Sequence, residues 1–371
     1  MKKLCFCRAI LFAAVFLALA GCAISGSKTE DASADNGVIT LMTWNVNNLF
    51  DGDDNGFEYD EYSQSSGWSS EKYLGRVNAI SAAVSKIEPL PDIIALQEVE
   101  SLKILEDLAS SISDDNTHSH FANNPGAALG LGIISRFPLS QIRVHSVTVG
   151  DSTTPRPVLE ARVQAQEAEF VVFVCHWKSK LGGDDVTENV RRASARVIVR
   201  RARELWESEP GLGVIAAGDL NENHDEFFRQ SASMICALLP DDPYCARLTG
   251  CIDEDGEEDP GRQRDFIVIS KNRPPEPVHF PQGTVVLFSP WLNGLENGSY
   301  YYRNNWETID HFLISGQFFD NAGWDYEKTA TADFSPFVNS NGYPVAYNAR
   351  TGSGLSDHLP LLLTLKMTVD D

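Results

Sequence analysis

The segment VITLMTWNVNNLF, residues 38–50, decides the fold class. Its first seven residues are apolar and rich in β-branched side chains, which predicts a buried strand. Residues 70–87 then repeat apolar side chains at helical spacing until Pro89, and DIIALQ, residues 92–97, predicts a second buried strand. A strand, an amphipathic helix and another strand in this order indicate an α/β protein.

The same alternation continues to the end of the chain. Further strands are expected at residues 131–135, 169–175, 212–217, 309–315 and 361–365, and helices at residues 101–112, 188–206 and 222–236. Two segments are expected to be insertions. Residues 51–67 are acidic and contain glycine, while residues 241–281 combine acids with prolines and are expected to be mostly loop. We expect one α/β domain over residues 38–371, because nothing between these bounds resembles a linker.

The N-terminal residues have the order of an export signal. Three basic residues precede an apolar run, residues 9–20, that is too short for a comfortable membrane-spanning helix. The tetrad Leu-Ala-Gly-Cys at residues 19–22 resembles the bacterial lipobox, which implies cleavage before Cys22 and its lipidation. An ordinary secretory signal with a chance cysteine is the alternative. Residues 1–22 are therefore predicted to be a lipoprotein signal peptide, residues 23–37 a flexible tether, and the protein to be exported and membrane-anchored on the periplasmic or cell-surface side.

The composition is strongly acidic. The formal net charge is -22 at neutral pH, and loss of a basic signal peptide makes the mature chain more negative still. Such a surface repels polyanions, which excludes DNA binding through a broad basic face. Any contact with nucleic acid must therefore be local and assisted by a metal ion.

The cysteines divide into two kinds. Cys236, Cys245 and Cys251 cluster in one segment, and an exported compartment permits a disulfide between two of them. Cys175 lies inside an apolar run, so we expect a buried small side chain and not a reactive thiol.

Polar side chains lie at the ends of the predicted strands, which is where α/β sheets place their ligands. In chain order they are Asn45, Asn47, Glu98, His176, Asp219, Asn221, Asp310, Asp357 and His358. Residues i and i+2 of a strand share a face, so Asp219 and Asn221 are expected to point into one pocket. Acids, amides and histidines that converge suit a hard cation and a phosphate group. Any one of them alone is more readily a solvated strand end or a structural histidine, so the joint placement carries the interpretation.

Seven segments in order carry a family resemblance. They are TWNVNNLF, DIIALQEVE, LGLGIISRFPL, VCHWKSK, AAGDLNEN, IDHFLIS and LSDHLPLLL. They resemble the motifs of the endonuclease/exonuclease/phosphatase superfamily, which includes pancreatic-type deoxyribonucleases, abasic-site endonucleases, inositol-polyphosphate phosphatases and bacterial sphingomyelinases. The resemblance covers nearly everything from residue 38 onward. It implies a four-layer α/β sandwich, in which two packed mixed β-sheets are flanked by helices, and a metal-dependent phosphoesterase.

The resemblance also implies a cation site. Glu98 would be the main Mg²⁺ ligand, Asn45 would lie beside it, and Asp357 would lie near the metal. Asn47 stands where many relatives have a carboxylate, a departure that removes one charge from the site. Mn²⁺ is expected to substitute for Mg²⁺.

Catalytic roles follow from the same resemblance. Asp219 would orient or deprotonate the attacking water, and Asn221 would hold a phosphate oxygen. His358, oriented by Asp310, would act on the phosphate or as general base, while His176 matches the second histidine of the deoxyribonuclease and sphingomyelinase branches. In-line displacement on a phosphodiester needs charge neutralisation, a deprotonated nucleophile and a stabilised leaving oxygen, which these groups can supply.

Residues 51–56, Asp-Gly-Asp-Asp-Asn-Gly, match the first six positions of a calcium-binding loop. The twelfth position needs Glu and is Tyr62, so Glu58, Asp60 or Glu61 would have to replace it. A plain acidic turn is the preferred interpretation, and an additional Ca²⁺ site is the alternative.

Two enzymatic functions stay open. A nuclease acting outside the cytoplasm is favoured, because HWKSK followed by a glycine-bearing loop and an arginine-rich helix resembles secreted bacterial nucleases. The alternative is a sphingomyelinase-like or other lipid-headgroup or inositol-phosphate phosphoesterase, with the aromatic residues 289–306 as a membrane-inserting hairpin or else a buried cluster. The complete set of catalytic side chains argues against a non-enzymatic adhesin. The expected partners are a phosphodiester, in first place nucleic acid, and a membrane reached through the lipid anchor; the protein itself is expected to be a monomer.

Overall fold

The computed structural model describes residues 37–113, 117–166, 168–251 and 265–368. The predicted signal peptide, Cys22 and nearly all of the predicted tether lie outside the described residues. Among the residues described, no helix has both the length and the apolar character needed to cross a bilayer.

Strands and helices follow one another along the whole described chain. The strands are β1 (Val38–Leu49), β2 (Ile93–Val99), β3 (His118–Ala122), β4 (Gly130–Ser135), β5 (Leu139–His145), β6 (Thr148–Val149), β7 (Ser152–Thr153), β8 (Val158–Ala165), β9 (Ala168–His176), β10 (Gly213–Asp219), β11 (Leu238–Pro240), β12 (Ile267–Ser270), β13 (Val286–Phe288), β14 (Tyr300–Tyr302), β15 (Asn305–Glu307), β16 (Asp310–Ile314), β17 (Gly323–Thr331) and β18 (Leu361–Thr368). The helices are α1 (Ser70–Val84), α2 (Leu102–Ile112), α3 (Asp184–Ser208), α4 (Glu226–Arg229) and α5 (Pro243–Leu248).

Most strands belong to two large mixed sheets. The first has the order β17-β18-β1-β2-β4-β3, and the second has the order β11-β12-β13-β16-β10-β9-β8-β5. Strands β1 and β2 are parallel, and so are β9 and β10. The carboxyl ends of these four strands therefore lie at sheet edges where ligand-binding side chains are expected.

Alternate side chains of the central strands enter different cores. Ile39 of β1 and Val172 of β9 meet in the core between the two sheets. Met42 of β1 points to the opposite side, into the core that α1 and α2 cover. Phe173 of β9 points outward beneath α3. The four-layer α/β sandwich is confirmed, since both sheets bury one face against each other and the other face against helices.

The predicted helix over residues 222–236 is wrong, because only α4 within this segment is helical. Glu222 accepts a hydrogen bond from the backbone N–H of Leu238 at 2.7 Å and pairs with Arg191 of α3 at 3.1 Å. These side-chain contacts hold the segment in an irregular course against the second sheet.

The described part of residues 241–281 is mostly loop, as expected, and it also contains α5 and β12. Strand β12 is wholly buried and extends the second sheet. Cys236, Cys245 and Cys251 are buried in one apolar cluster beside it and are free thiols, so the predicted disulfide is absent. Cys175 is buried as expected.

Candidate active site

Three neighbouring strands place a histidine and two aspartates side by side. Asp219, the last residue of β10, is in register with His176 of β9 and with Asp310 of β16. Strands β9 and β10 are parallel and end at the same edge, while the antiparallel β16 begins there. Register alone therefore brings these three side chains together.

The first sheet contributes Asn45 of β1 and Glu98 of β2 to the same point. The Nδ2 atom of Asn45 donates to Oδ2 of Asp219 at 3.0 Å and to Oε1 of Glu98 at 3.2 Å. This amide links the two sheets at the site. Glu98 has a φ of +64°, which is uncommon for a residue with a side chain and is typical of functional sites.

Gly218 explains why the motif AAGDLNEN contains a glycine before its aspartate. Its φ is +140°, and a Cβ atom there would lie 2.0 Å from the carbonyl oxygen of Cys175. No side chain fits between β9 and β10 at this level. Glycine therefore permits the close approach of the strands that carry His176 and Asp219.

The predicted contact between His358 and Asp310 is present. Nδ1 of His358 lies 2.8 Å from Oδ2 of Asp310, and both residues are buried. The contact orients the ring, with Nε2 4.0 Å from Oδ2 of Asp219. Burial by itself lowers the pKa of His358, but the negative charges of Asp310, Asp219 and Asp357 outweigh it and raise this pKa well above its ordinary value.

His176 has the opposite protonation tendency. Its Nε2 lies 3.4 Å from Oδ2 of Asp219 and 3.7 Å from Oε1 of Glu98. Burial and the positive charges of Arg156 and His358 lower the pKa of His176 well below its usual value. Burial also raises the pKa of Asp219 to about 7. The site therefore pairs a neutral histidine with a charged one across a carboxylate that titrates near neutrality.

The donor atoms of the site fit a hard cation. Oδ1 of Asp357 is buried and has no hydrogen-bond partner within the described chain. Asp219, Asp310 and His358 bring three potential ligand atoms within 4.8 Å of one another, and a hydrogen bond already joins Asp310 to His358. The other oxygen donors that would hold Mg²⁺ are Glu98, Asp357 and Asn45, whose Oδ1 also accepts the backbone N–H of Asn47 at 3.0 Å; this cation prefers carboxylate and carbonyl ligands.

Asn221 and Asn47 are both at the site, but their side chains already make hydrogen bonds within the protein. The Nδ2 atom of Asn221 donates to the carbonyl of Trp177 at 3.1 Å, and its backbone N–H donates to Oδ1 of Asp219 at 2.9 Å. Oδ1 of Asn47 accepts the backbone N–H of Tyr347 at 3.0 Å. The oxygen that a cation would use on Asn47 thus holds the loop around residue 347.

A cleft of about 780 Å³ opens over these side chains. The expected residues that line it are Asn45, Asn47, Glu98, His176, Asp219, Asn221, Asp357 and His358. Asp310 is buried behind His358. The expected side chains therefore converge on one cavity from loops and strands of both sheets.

Residues 40–233 match the sequence model of the Endonuclease/Exonuclease/phosphatase family. The chain belongs to this family. Membership supports a hydrolytic phosphoesterase function, and enzymes of this family depend on divalent metal ions. No curated protein sequence matches the chain.

Solved structures support the same fold. A truncated TDP2 from Caenorhabditis elegans is 15% identical with a TM-score of 0.50, covering 89% of this chain and 98% of that one. An endonuclease/exonuclease/phosphatase family protein from Bacteroides thetaiotaomicron is 16% identical with a TM-score of 0.50, covering 88% of this chain and 94% of that one. At these identities the similarity concerns the fold alone.

Two cleft residues of this family member were missed by sequence reasoning. Arg156, in the loop before β8, lines the cleft and donates to the carbonyl of Trp177. The ring of Tyr300 lies 4.6 Å from the imidazole of His358. A Pro-Arg-Pro loop offers no pattern that marks a site, and Tyr300 appeared in the sequence only as part of an aromatic segment.

Arg76 of α1 is a third residue that the sequence did not single out. It is buried, and its Nη2 atom donates to the carbonyl of Asn47 at 2.8 Å and to that of Leu355 at 3.4 Å. Its guanidinium also lies 3.5 Å from the centre of the Tyr347 ring. Arg76 therefore joins the segment after Asn45 to the loop that carries Asp357 and His358. An arginine at a helical position indicates a solvated surface residue, so the sequence does not mark Arg76 as part of a site.

Residues 51–56 form an acidic turn that is held by side-chain hydrogen bonds. Oδ1 of Asp51 accepts the N–H of Asp53 at 2.9 Å. The carboxylate of Glu58 accepts the N–H groups of Asn55 and Gly56 at 2.7 and 2.8 Å. These acids therefore serve the backbone of the turn itself.

Proposed function

We propose that the protein is a Mg²⁺-dependent phosphodiesterase that hydrolyses nucleic acid outside the cytoplasm. The observation that carries this proposal is the convergence of Glu98, Asp219 and the His358–Asp310 pair beneath an open cleft of about 780 Å³. The neutral His176, the charged His358 and the carboxylates lie within reach of one phosphate there. This combination suits hydrolysis of a phosphoester.

Each side chain has a chemical task in this proposal. Glu98, Asn45 and Asp357 would hold Mg²⁺, which would supply positive charge to the phosphoryl oxygens. Asp219, whose carboxylate lies 3.4 Å from Nε2 of His176, accepts the proton of the attacking water. His358, kept protonated by Asp310, donates a hydrogen bond from Nε2 to a phosphoryl oxygen.

The charges of the cleft are mixed. Arg156, Lys180, Arg229 and Arg303 line it together with Glu98, Asp184, Asp219, Glu226, Glu307 and Asp357, and Lys180 pairs with Glu226 while Arg229 pairs with Asp225. A divalent cation in the cleft is therefore needed to draw a polyanion such as nucleic acid to it. The acidic remainder of the surface then limits non-specific binding.

The aromatic segment is only partly engaged within the protein. Its residues 300–307 form the hairpin of β14 and β15. The ring of Tyr301 stacks on Tyr343 at 3.9 Å, and Trp306 packs against Tyr301 at 5.1 Å. Tyr302 at the turn of the hairpin is 46% exposed, so the substrate test includes a lipid headgroup.

Parallel incubations test the substrate. Purified protein with Mg²⁺ is given plasmid DNA, RNA, sphingomyelin vesicles and inositol phosphates, and products are followed on gels and by phosphate release. We expect cleavage of DNA or RNA, its loss in EDTA, and its recovery with Mg²⁺ or Mn²⁺. Turnover of sphingomyelin alone would replace the nuclease by a lipid phosphodiesterase, while full turnover in chelator would remove the metal-dependent mechanism.

Lipidation of Cys22 is a separate proposal, based on the Leu-Ala-Gly-Cys tetrad after the apolar run. In cells labelled with radioactive palmitate, Cys22→Ser is expected to lose the label and to remain unprocessed. Cys7→Ser, inside the predicted signal peptide, is the matched control and should still be processed. Equal labelling of Cys22→Ser and the parent would refute the anchor. We also propose that the mature protein is a monomer, which sedimentation of the soluble domain would check.

A further inference from the structure

A second hollow, of about 390 Å³, adjoins the cleft. Both cavities are bounded by Glu98, Arg156 and His176, so these three side chains form the boundary between them. A phosphate bound at Glu98 and His176 has room for a substituent on each side. This arrangement suits a diester, because a monoester carries only one organic group. We call the smaller cavity the Tyr59 hollow.

Tyr59 forms one wall of this hollow and is held there by the core. Its ring packs edge-on against Phe50 at 5.3 Å, and Phe50 itself is buried. Tyr59 remains 44% exposed, so part of its ring is available to a ligand. A fixed and partly exposed aromatic ring is the usual surface on which a base stacks.

The acidic turn of residues 51–58 gains a purpose from this placement. Oε1 of Glu100 accepts a hydrogen bond from Nδ2 of Asn55 at 2.9 Å, and Glu58 caps the turn. Glu100 follows Glu98 by two residues, so the turn is fastened to the strand end that carries the main carboxylate of the site. The turn that resembles a calcium loop therefore holds Tyr59 beside the reaction centre.

The opposite wall consists of residues 126–129 and Pro155. These two segments are tied together, since Nδ2 of Asn124 donates to the carbonyl of Thr154 at 2.7 Å. The hollow thus lies between an aromatic ring and a turn that is anchored by side-chain hydrogen bonds.

Two cations, Arg156 and Lys178, complete the lining. Arg156 donates to the carbonyl of Trp177, and Lys178 donates to Oγ of Ser179 at 3.3 Å. Both donate to neutral oxygens in these contacts, and their charge is available to a phosphate.

We propose that the Tyr59 hollow binds the nucleoside on one side of the scissile phosphate. The base stacks on Tyr59, and the next phosphate of the chain lies against Arg156 and Lys178. This inference rests on the proposed nuclease function and identifies a residue that sets its specificity. Loss of one base–ring stack corresponds to roughly 5- to 150-fold in binding.

A double-mutant cycle tests the inference: the ring of Tyr59 and the base of the substrate are removed one at a time and then together. The substrates are thymidylyl-thymidine and its two analogues in which one or the other base is replaced by hydrogen. The proteins are the parent, Tyr59→Ala, Tyr59→Phe and Tyr244→Ala, the last being a control tyrosine that is 48% exposed and outside both cavities. The quantities measured are kcat and KM with Mg²⁺.

In the parent and in Tyr59→Phe, removal of one particular base should lower kcat/KM by roughly 5- to 150-fold. In Tyr59→Ala that same removal should have no further effect, and Tyr244→Ala should behave as the parent. Equal losses of Tyr59→Ala on all three substrates would overturn the inference and leave the nuclease intact. A parent protein that cleaves none of these diesters, nor DNA or RNA, would overturn the proposed function itself.

Discussion

Two buried clusters in this protein each bring three potential cation ligands within 4.8 Å of one another. One consists of Asp219, Asp310 and His358 at the cleft, and the other of Glu188, Glu222 and Cys236 between α3 and the second sheet. They have similar composition and burial but different surroundings. The comparison shows that a surplus of acids does not by itself mark a functional site.

The glutamate cluster is satisfied by the protein. Oε1 of Glu188 accepts the N–H of Ala237, and Oε1 of Glu222 accepts the N–H of Leu238, both at 2.7 Å. Arg191, fully buried, donates to the remaining oxygens of Glu188 at 2.6 Å and of Glu222 at 3.1 Å. Every carboxylate oxygen therefore has a donor, and the cluster fixes α3 to the segment that replaced the predicted helix.

The cleft cluster is not satisfied in this way. Oδ1 of Asp310 and Oδ1 of Asp357 are buried without a hydrogen-bond partner in the described residues. Glu98 beside them adopts a φ of +64°. Uncompensated acceptors and backbone strain cost stability, and such features persist where a ligand or a reaction needs them.

The largest expected effect is a loss of catalysis when the cleft cluster is changed. His358→Ala should lower kcat by about 10²–10⁴-fold, because it removes the group that Asp310 orients toward the phosphate. Asp310→Ala added to it should be scarcely worse, since the pair works as a unit. Steady-state kinetics measure both variants, with His120→Ala, outside the cleft, as the control. Losses that multiply would show that the two residues act independently.

Arg191→Met should instead act on stability. Removal of the cation leaves two buried carboxylates with their backbone N–H donors but without a counter-charge, which costs about 3–5 kcal/mol in the free energy of unfolding. The kcat of the folded fraction should not change. Urea denaturation and active-site titration measure the two quantities separately. A variant of parental stability would contradict the structural role of the glutamate cluster.

Glu98→Gln should weaken the cation site while the protein stays folded. Loss of a ligand is expected to lower Mg²⁺ affinity by at least about 10-fold, the lower bound for disturbing a metal site. Calorimetric titration measures it, and Glu188→Gln is the matched control in the other cluster. Equal metal affinity in Glu98→Gln and the parent would remove Glu98 from the site.

Cys236→Ala is expected to have the smallest effect. It removes one buried sulfur, at a cost of about 1 kcal/mol, and should leave the number of bound metal ions unchanged. Alkylation followed by mass spectrometry should modify Cys236, Cys245 and Cys251 only after unfolding, and then without reductant. A lower metal stoichiometry in the variant would make the glutamate cluster a second cation site.

Sequence reasoning located the site well because strand ends can be recognised locally. Asn45, Glu98, His176 and Asp219 each end an apolar run, and each lies where its strand meets the cleft. The family resemblance added the pairing of Asp310 with His358, which are separated by 48 positions. That contact does not follow from any local pattern.

The wrong helix prediction and the unmarked arginines have a common cause. The helix over residues 222–236 was predicted from local periodicity, but Glu222 and its partner Arg191 formed side-chain contacts across 31 positions instead. Arg76 and Arg156 were passed over because charged residues on a helix or in a loop are usually solvated. Only packing against distant segments buries them or places them at a site.

The sequence by itself determined the alternation of strands and helices, the strand-end position of the polar residues, and thereby the fold and the reaction class. These properties depend on side chains that are neighbours along the chain, since the periods of strands and helices are local. Tertiary structure decided which acids remain unsatisfied, that Asn45 joins the sheets through Asp219, 174 positions away, and that Tyr59 lies beside Glu98. Hydrogen-bond satisfaction and cavity shape depend on how all segments pack together, so no single stretch of sequence specifies them.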